Sequence, residues 1–70
     1  MIETFAPASS HIETATYDSE ERDLTVTFKD GSEYVYHNVP QTVFLGMQNA
    51  RSCGEYHARQ IRGVYSYEQM

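Results

Sequence analysis

Apolar side chains occupy every second position from Leu24 to Phe28, and threonines stand between them. This period of two is typical of a strand with one buried face. Asp30 and Gly31 follow at once, and this pair predicts a tight hairpin because glycine tolerates a positive φ. A two-residue turn would set Val26 opposite Val35. We favour a three-residue turn with Gly31 as the bulge residue, because it sets Val26 opposite Tyr34 and gathers the large apolar side chains on one face.

Three other stretches show weaker strand patterns or none. Residues 12–18 are rich in threonine and end in Tyr17 and Asp18, which favours a strand before the hairpin. Residues 1–11 have no period and predict an extended N-terminal arm that pairs only if another strand receives it. Residues 64–67 alternate, so we expect a strand that pairs either with the sheet or with a neighbouring subunit.

Two short helices are predicted after the hairpin. Pro40 suits the first position of a helix over about residues 41–50, whose stripe of apolar residues should cover the tyrosine-bearing sheet face. A second helix is expected over residues 53–62, with Ser52 as the N-cap and Glu55 three residues later. Gly63 should end it. The pattern as a whole predicts one α+β domain over residues 1–70, with a three-stranded antiparallel meander, a C-terminal strand as an option, and two covering helices.

Chain length and composition limit what this domain can be. A chain of 70 residues buries only about 60% of the surface of its unfolded state, so we expect a homo-oligomer. The single cysteine excludes an intrachain disulfide and suits a reducing cytoplasm. No apolar run is long enough to span a membrane, and the first residues do not resemble a signal peptide. We therefore expect a cytoplasmic protein with no membrane partner.

The charge is unevenly distributed along the chain. The net charge of −5 argues against binding to duplex nucleic acid, which depends on neutralising phosphates with basic side chains. Residues 1–50 hold eight acids and two bases, whereas residues 51–70 hold two acids and three bases. An anion would therefore bind most favourably near the second helix.

The start of the second helix is the candidate binding site. Unpaired N–H groups at a helix start favour phosphate, and Gly54 would let a ligand approach the backbone closely. In a regular helix Tyr56, Arg59 and Arg62 would share one face, and Cys53 and its neighbours at spacings of four would form a buried row. Arginines on a solvated helix face and a capping box are also ordinary structural features, and the pattern alone favours this structural interpretation over a ligand site.

No catalytic group or metal site stands out from the sequence. Cys53 could pair with a histidine as a nucleophile, and a helix start would lower the pKa of its thiol, but no third orienting group is evident. His57, four residues later, would give only two ligands to a metal ion. We expect no enzymatic activity, no metal and no cofactor.

The chain resembles the KTSC domain, a short domain found at the C-terminus of some lysyl-tRNA synthetases and as a stand-alone bacterial or phage protein. The resemblance runs from about Ser9 to Tyr65. It rests on these residues: Ser10, Ile12, Tyr17, Asp18, Leu24, Val26, Phe28, Gly31, Tyr34, Tyr36, Val39, Pro40, Ala50, Ser52, Gly54, Tyr56, Ile61 and Arg62. His57 and Ala58 depart from it, standing where a second aromatic residue and asparagine are usual. The resemblance implies an antiparallel sheet covered by helices and attaches no enzymatic activity.

Two functional hypotheses follow. The first is a non-enzymatic domain that binds a small phosphorylated ligand, such as a nucleotide or cyclic nucleotide signal. The binding residues would be Arg51, Ser52, Gly54, Tyr56, Arg59, Arg62 and Tyr36. By its size and the distribution of the family, such a protein could be a phage sponge that sequesters a host defence signal in the host cytoplasm. The alternative is a protein- or RNP-interaction module with no small-molecule ligand.

Overall fold

The fold is a five-stranded antiparallel sheet covered on one face by helices. The computed structural model describes all 70 residues. The strands lie in chain order as β1 Ile2–Phe5, β2 Ile12–Asp18, β3 Asp23–Phe28, β4 Glu33–Tyr36 and β5 Tyr67–Gln69. The helices are α1 Gln41–Asn49 and α2 Cys53–Tyr56, and α2 continues into a π-helical segment, His57–Ile61. The α+β class is confirmed, with two strands more than the predicted meander.

The central hairpin has the predicted register. Val26 stands opposite Tyr34 and Leu24 opposite Tyr36, as the bulged turn requires. Gly31 has a φ of 93°, a conformation that favours glycine. The large apolar side chains of the hairpin therefore share one face, and Leu24, Val26 and Tyr36 are buried there.

The two edge strands come from segments whose pairing the sequence left open. Residues 2–5 of the extended N-terminal arm are received by the sheet, because β1 pairs with β2 and sets Phe5 opposite Ala15. At the other edge β5 pairs with β4 of the same chain, and Tyr67 stands opposite Tyr36. Only Tyr67 of the expected strand at 64–67 is paired in this way.

Helix α1 covers the sheet as its apolar stripe predicts. Phe44 and Met47 are buried, and the Phe44 ring stacks on the Tyr17 ring at a centroid distance of 5.1 Å. Pro40 precedes the helix as its N-cap with extended backbone, so its expected place at the first helical position is wrong by one residue. The Tyr17 hydroxyl donates to the Val39 carbonyl at 2.6 Å and ties β2 to the start of α1.

The second helix changes its winding halfway. Ser52 is the N-cap, and its Oγ accepts the Glu55 backbone N–H at 3.2 Å, as predicted. From His57 the backbone is π-helical, with more residues in each turn, until Arg62 leaves it with extended backbone. Cys53, His57 and Ile61 are all buried, so the expected buried row is confirmed. None of the helices has both the length and the apolar character that crossing a bilayer requires.

Candidate functional site

A groove of about 1080 Å³ lies between the second helix and the end of the sheet that carries the β3–β4 turn. We call it the helix–sheet groove. Its walls are the loop before β2, the β3–β4 hairpin, α2 and the segment after the π-helical turn. Its lining residues are Ala8–Ile12, Phe28–Asp30, Ser32, Tyr34, Tyr36, Arg51–Glu55, His57, Ala58, Arg62, Gly63 and Tyr67.

A buried pair of polar side chains forms the floor of this groove. The Tyr36 hydroxyl and His57 Nε2 are 2.8 Å apart, and the two residues are 3% and 6% exposed. Burial lowers the pKa of His57, and the positive charge of Arg62 lowers it further. Burial also raises the pKa of Tyr36, and neighbouring Tyr34 and Tyr67 add to this effect while Arg62 opposes it. The floor is therefore a neutral, hydrogen-bonded pair at pH 7.

Aromatic rings continue from this floor to the open edge of the sheet. The Tyr67 ring lies 5.6 Å from that of Tyr34 and 5.7 Å from that of Tyr36, measured between centroids. Phe28 meets Tyr34 edge to face at 5.7 Å and His57 at 5.4 Å. Tyr67 is 55% exposed, so one face of this aromatic cluster is accessible to a ligand. Such surfaces stack heterocyclic bases well.

Positive charge is concentrated in the groove of an otherwise acidic chain. Lys29, Arg51 and Arg62 line it, against the acids Asp30 and Glu55. The Glu55 carboxylate forms an ion pair with Arg59 at 3.0 Å and is thereby partly neutralised. No salt bridge within the chain engages the three basic groove residues, whereas the whole chain carries a net charge of −5. Anions are therefore favoured in this groove above other parts of the surface.

The structure brings five of the seven predicted binding residues into the helix–sheet groove. They are Arg51, Ser52, Gly54, Arg62 and Tyr36. Gly54 is close to the loop before β2, and a Cβ at this position would meet Ser9 Oγ at 3.8 Å. The helix start, two arginines and one tyrosine are thus placed around one opening.

Tyr56 and Arg59 lie outside the groove, so the predicted row of Tyr56, Arg59 and Arg62 is wrong. The Tyr56 ring packs against Gly46 of α1, and Arg59 is held by Glu55. Both line a separate depression of about 360 Å³. The cause is the π-helical winding from His57 onward, which breaks the spacing of three on which the expected row depended.

Cys53 is placed as a structural residue. Its thiol is buried and donates to the Met47 carbonyl at 3.0 Å. Burial raises the pKa of this thiol, so the expected lowering by the helix start is wrong. His57 Nε2 is already engaged by Tyr36, and no group of three or more possible metal ligands is present in the chain.

Several groove residues were missed from the sequence. Tyr34 and Tyr67 are not among the predicted binding residues, yet both belong to the aromatic cluster. Strand parity gave a signal for Tyr34, because it shares a sheet face with Tyr36. Ser9 had no such signal: its Oγ accepts the Ile12 N–H at 3.1 Å, and this local turn carries the loop to the groove. His57 and Ala58, the two departures from the family pattern, both line the groove.

Comparison with known proteins gives a consistent result. The sequence profile of the KTSC domain matches residues 8–65. A lysine–tRNA ligase of Trichormus variabilis is 41% identical over 64 residues, which are 91% of this chain and 11% of that enzyme. A protein of Tsukamurella paurometabola is 42% identical over 48 residues, which cover 69% of this chain and 72% of its own.

A solved structure extends the similarity to the whole fold. The crystal structure of a KTSC domain protein from Yersinia pestis superposes with a TM-score of 0.90 at 25% identity, and the alignment covers 100% of this chain and 99% of that one. By contrast, the chain spans only 11% of the length of the Trichormus ligase.

Proposed function

The chain belongs to the KTSC domain family, and on that premise we propose that it is a non-enzymatic binding domain for a small phosphorylated ligand held in the helix–sheet groove. The ligand class is a nucleotide or cyclic nucleotide signal. The observation that supports this most directly is that Arg51 and Arg62, free of salt bridges within the chain, line the same opening as an accessible aromatic cluster. Guanidinium groups recognise phosphate, and tyrosine rings stack bases.

The binding role is tested by calorimetric titration with a panel of nucleotides and cyclic nucleotides. Replacing Arg62 by glutamine removes one charge-assisted hydrogen bond, so we expect the affinity to fall roughly 10- to 100-fold. Arg22→Gln is the matched control, because it makes the same change of charge at an exposed arginine in the turn between β2 and β3, outside the groove. The proposal fails if no panel member binds the unaltered protein at sub-millimolar concentration, or if the Arg22 and Arg62 variants lose affinity equally.

In this proposal the domain holds its ligand and does not convert it. The buried Cys53 thiol, with its raised pKa, is a poor nucleophile, which supports a binding role over a cysteine-dependent enzyme. Such a protein would lower the free concentration of a signal in proportion to its own amount. When the protein is heated to release its bound ligand, mass spectrometry of the released ligand should show a chemically unaltered molecule. A hydrolysed or modified product would contradict the binding-only role.

The biological setting is part of the proposal. We propose that the protein works in the cytoplasm as a homo-oligomer, and as an anti-defence sponge in the host cytoplasm where a phage encodes it. The accessible edge strands β1 and β5 offer pairing surfaces between copies. Native mass spectrometry reports the number of subunits, and a purely monomeric protein at micromolar concentration would contradict this part.

A second candidate function is a protein- or RNP-interaction module. It is supported by the relation of this chain to one segment of a lysine–tRNA ligase. The two candidates differ in their dependence on the groove. A macromolecular partner that is still captured by an Arg51→Gln and Arg62→Gln double variant would favour the second candidate over the first.

A further inference from the structure

The two arginines of the helix–sheet groove stand at opposite ends of the second helix. Arg51 precedes the N-cap Ser52, and Arg62 follows Ile61, the last residue of the π-helical segment. Ser52, the four residues of α2 and the five of the π-helical segment separate them. At a helical rise of about 1.5 Å per residue, their backbones are on the order of 12 Å apart or more. One phosphate would have to draw both side chains towards the middle of the helix.

The surroundings of the two arginines differ as well. The Arg62 backbone N–H donates to the His57 carbonyl at 2.8 Å, so Arg62 lies beside the buried pair of Tyr36 and His57 at the aromatic end of the groove. Arg51 lies beside Ser52 at the other end, where it also borders the smaller depression next to α2. An anion at Arg62 is therefore beside a stacking surface, and an anion at Arg51 is beside hydroxyl donors.

The groove between these ends suits an extended ligand. Its volume of about 1080 Å³ is at the upper end of the range for small-molecule sites. On the helix side, the small residues Gly54 and Ala58 line the groove between the two arginines, together with Cys53, Glu55 and His57. The Glu55 carboxylate is engaged by Arg59, so a ligand body can lie along the helix close to Gly54 and Ala58.

We infer that the ligand is a dinucleotide, in which a nucleoside separates two phosphates, one bound at each arginine. This inference rests on the proposed function. A base stacks on the Tyr34 and Tyr67 rings, the adjoining phosphate binds Arg62, and the second phosphate binds Arg51. A nucleoside monophosphate fills only the aromatic end. Recognition therefore depends on the spacing of two phosphates as well as on the base.

The test compares two ligand sets with three forms of the full-length chain. The ligands are the four nucleoside 5′-monophosphates and the matching homodinucleotides, in cyclic and in linear 5′-phosphorylated form. The proteins are the unaltered chain, Arg51→Gln and Arg62→Gln, titrated by calorimetry at one ionic strength. Circular dichroism checks that each variant keeps its fold, as expected for two exposed side chains.

The expected pattern is asymmetric. The best dinucleotide should bind the unaltered protein at least about tenfold more tightly than its mononucleotide. Arg51→Gln should lower the dinucleotide affinity to the level of the mononucleotide, whereas Arg62→Gln should weaken both ligands. Equal loss of mononucleotide binding in the two variants would overturn the two-phosphate inference and leave the proposed function standing. Absence of binding by every nucleotide would overturn both.

Discussion

Gly46 lies inside α1, directly against the ring of Tyr56. A Cβ added at Gly46 would come within 2.9 Å of Tyr56 Cζ and 3.2 Å of Cε2. Glycine to alanine inside a helix normally stabilises a protein by about 1 kcal/mol. Overpacking typically costs about 1–3 kcal/mol, so Gly46→Ala should destabilise this protein by about 1 kcal/mol net. With Tyr56→Ala already in place the clash is gone, and the same change should stabilise by about 1 kcal/mol.

Urea unfolding followed by far-ultraviolet circular dichroism measures all four members of this cycle. The expected coupling between the two positions is about 2 kcal/mol, well above the error of such a comparison. Tyr56→Ala alone serves as the reference for the double variant. If Gly46→Ala changes the midpoint in the same direction in both backgrounds, the Tyr56 ring does not lie against α1. Tyr56 would then not be held away from the helix–sheet groove by its packing against α1.

Three further predictions concern stability and reactivity. Gly31→Ala should lower the free energy of unfolding by about 1–2 kcal/mol, because Gly31 has a φ of 93°. Gly54→Ala is the control and should not lower it, because a Cβ at Gly54 would make only an ordinary contact. Equal urea midpoints for the two variants would contradict this prediction. Burial lowers the pKa of His57, so the free energy of unfolding should fall as the pH drops below 6.5, the pKa of an unperturbed histidine. The dependence of the unfolding free energy on pH should be weaker in His57→Gln than in the unaltered protein or in the control His11→Gln. The Cys53 thiol should react with a disulfide reagent at pH 8 only in urea, and rapid reaction of the folded protein would contradict its burial.

The sheet was largely predictable because its central hairpin is specified locally. The period of two over β3 and a turn residue that accepts positive φ determine the register, and both are visible in the sequence. The edge strands were not predictable in the same way. Their pairing depends on which neighbours the folded chain brings alongside, and neither β1 nor β5 has a buried side chain to mark one face.

The candidate site shows the same division between local and tertiary information. Ser52 and its capping bond were predictable from residue type and spacing, and so was the positive charge near the second helix. The π-helical winding was not, because residue type and spacing do not indicate where a helical turn gains an extra residue. That single irregularity separates Arg62 from Arg59. Likewise, Tyr56 became a packing residue because a glycine on another helix leaves room for its ring.

The most direct test of a ligand in the helix–sheet groove is native mass spectrometry of the protein purified from its own host cells. Three forms should be compared in parallel: the unaltered chain, Arg62→Gln and Arg22→Gln, whose exposed side chain lies outside the groove. We predict a mass increment of a phosphorylated small molecule on the unaltered chain and on Arg22→Gln, and its loss from Arg62→Gln. Bare protein in all three forms, or the same increment on all three, would contradict it.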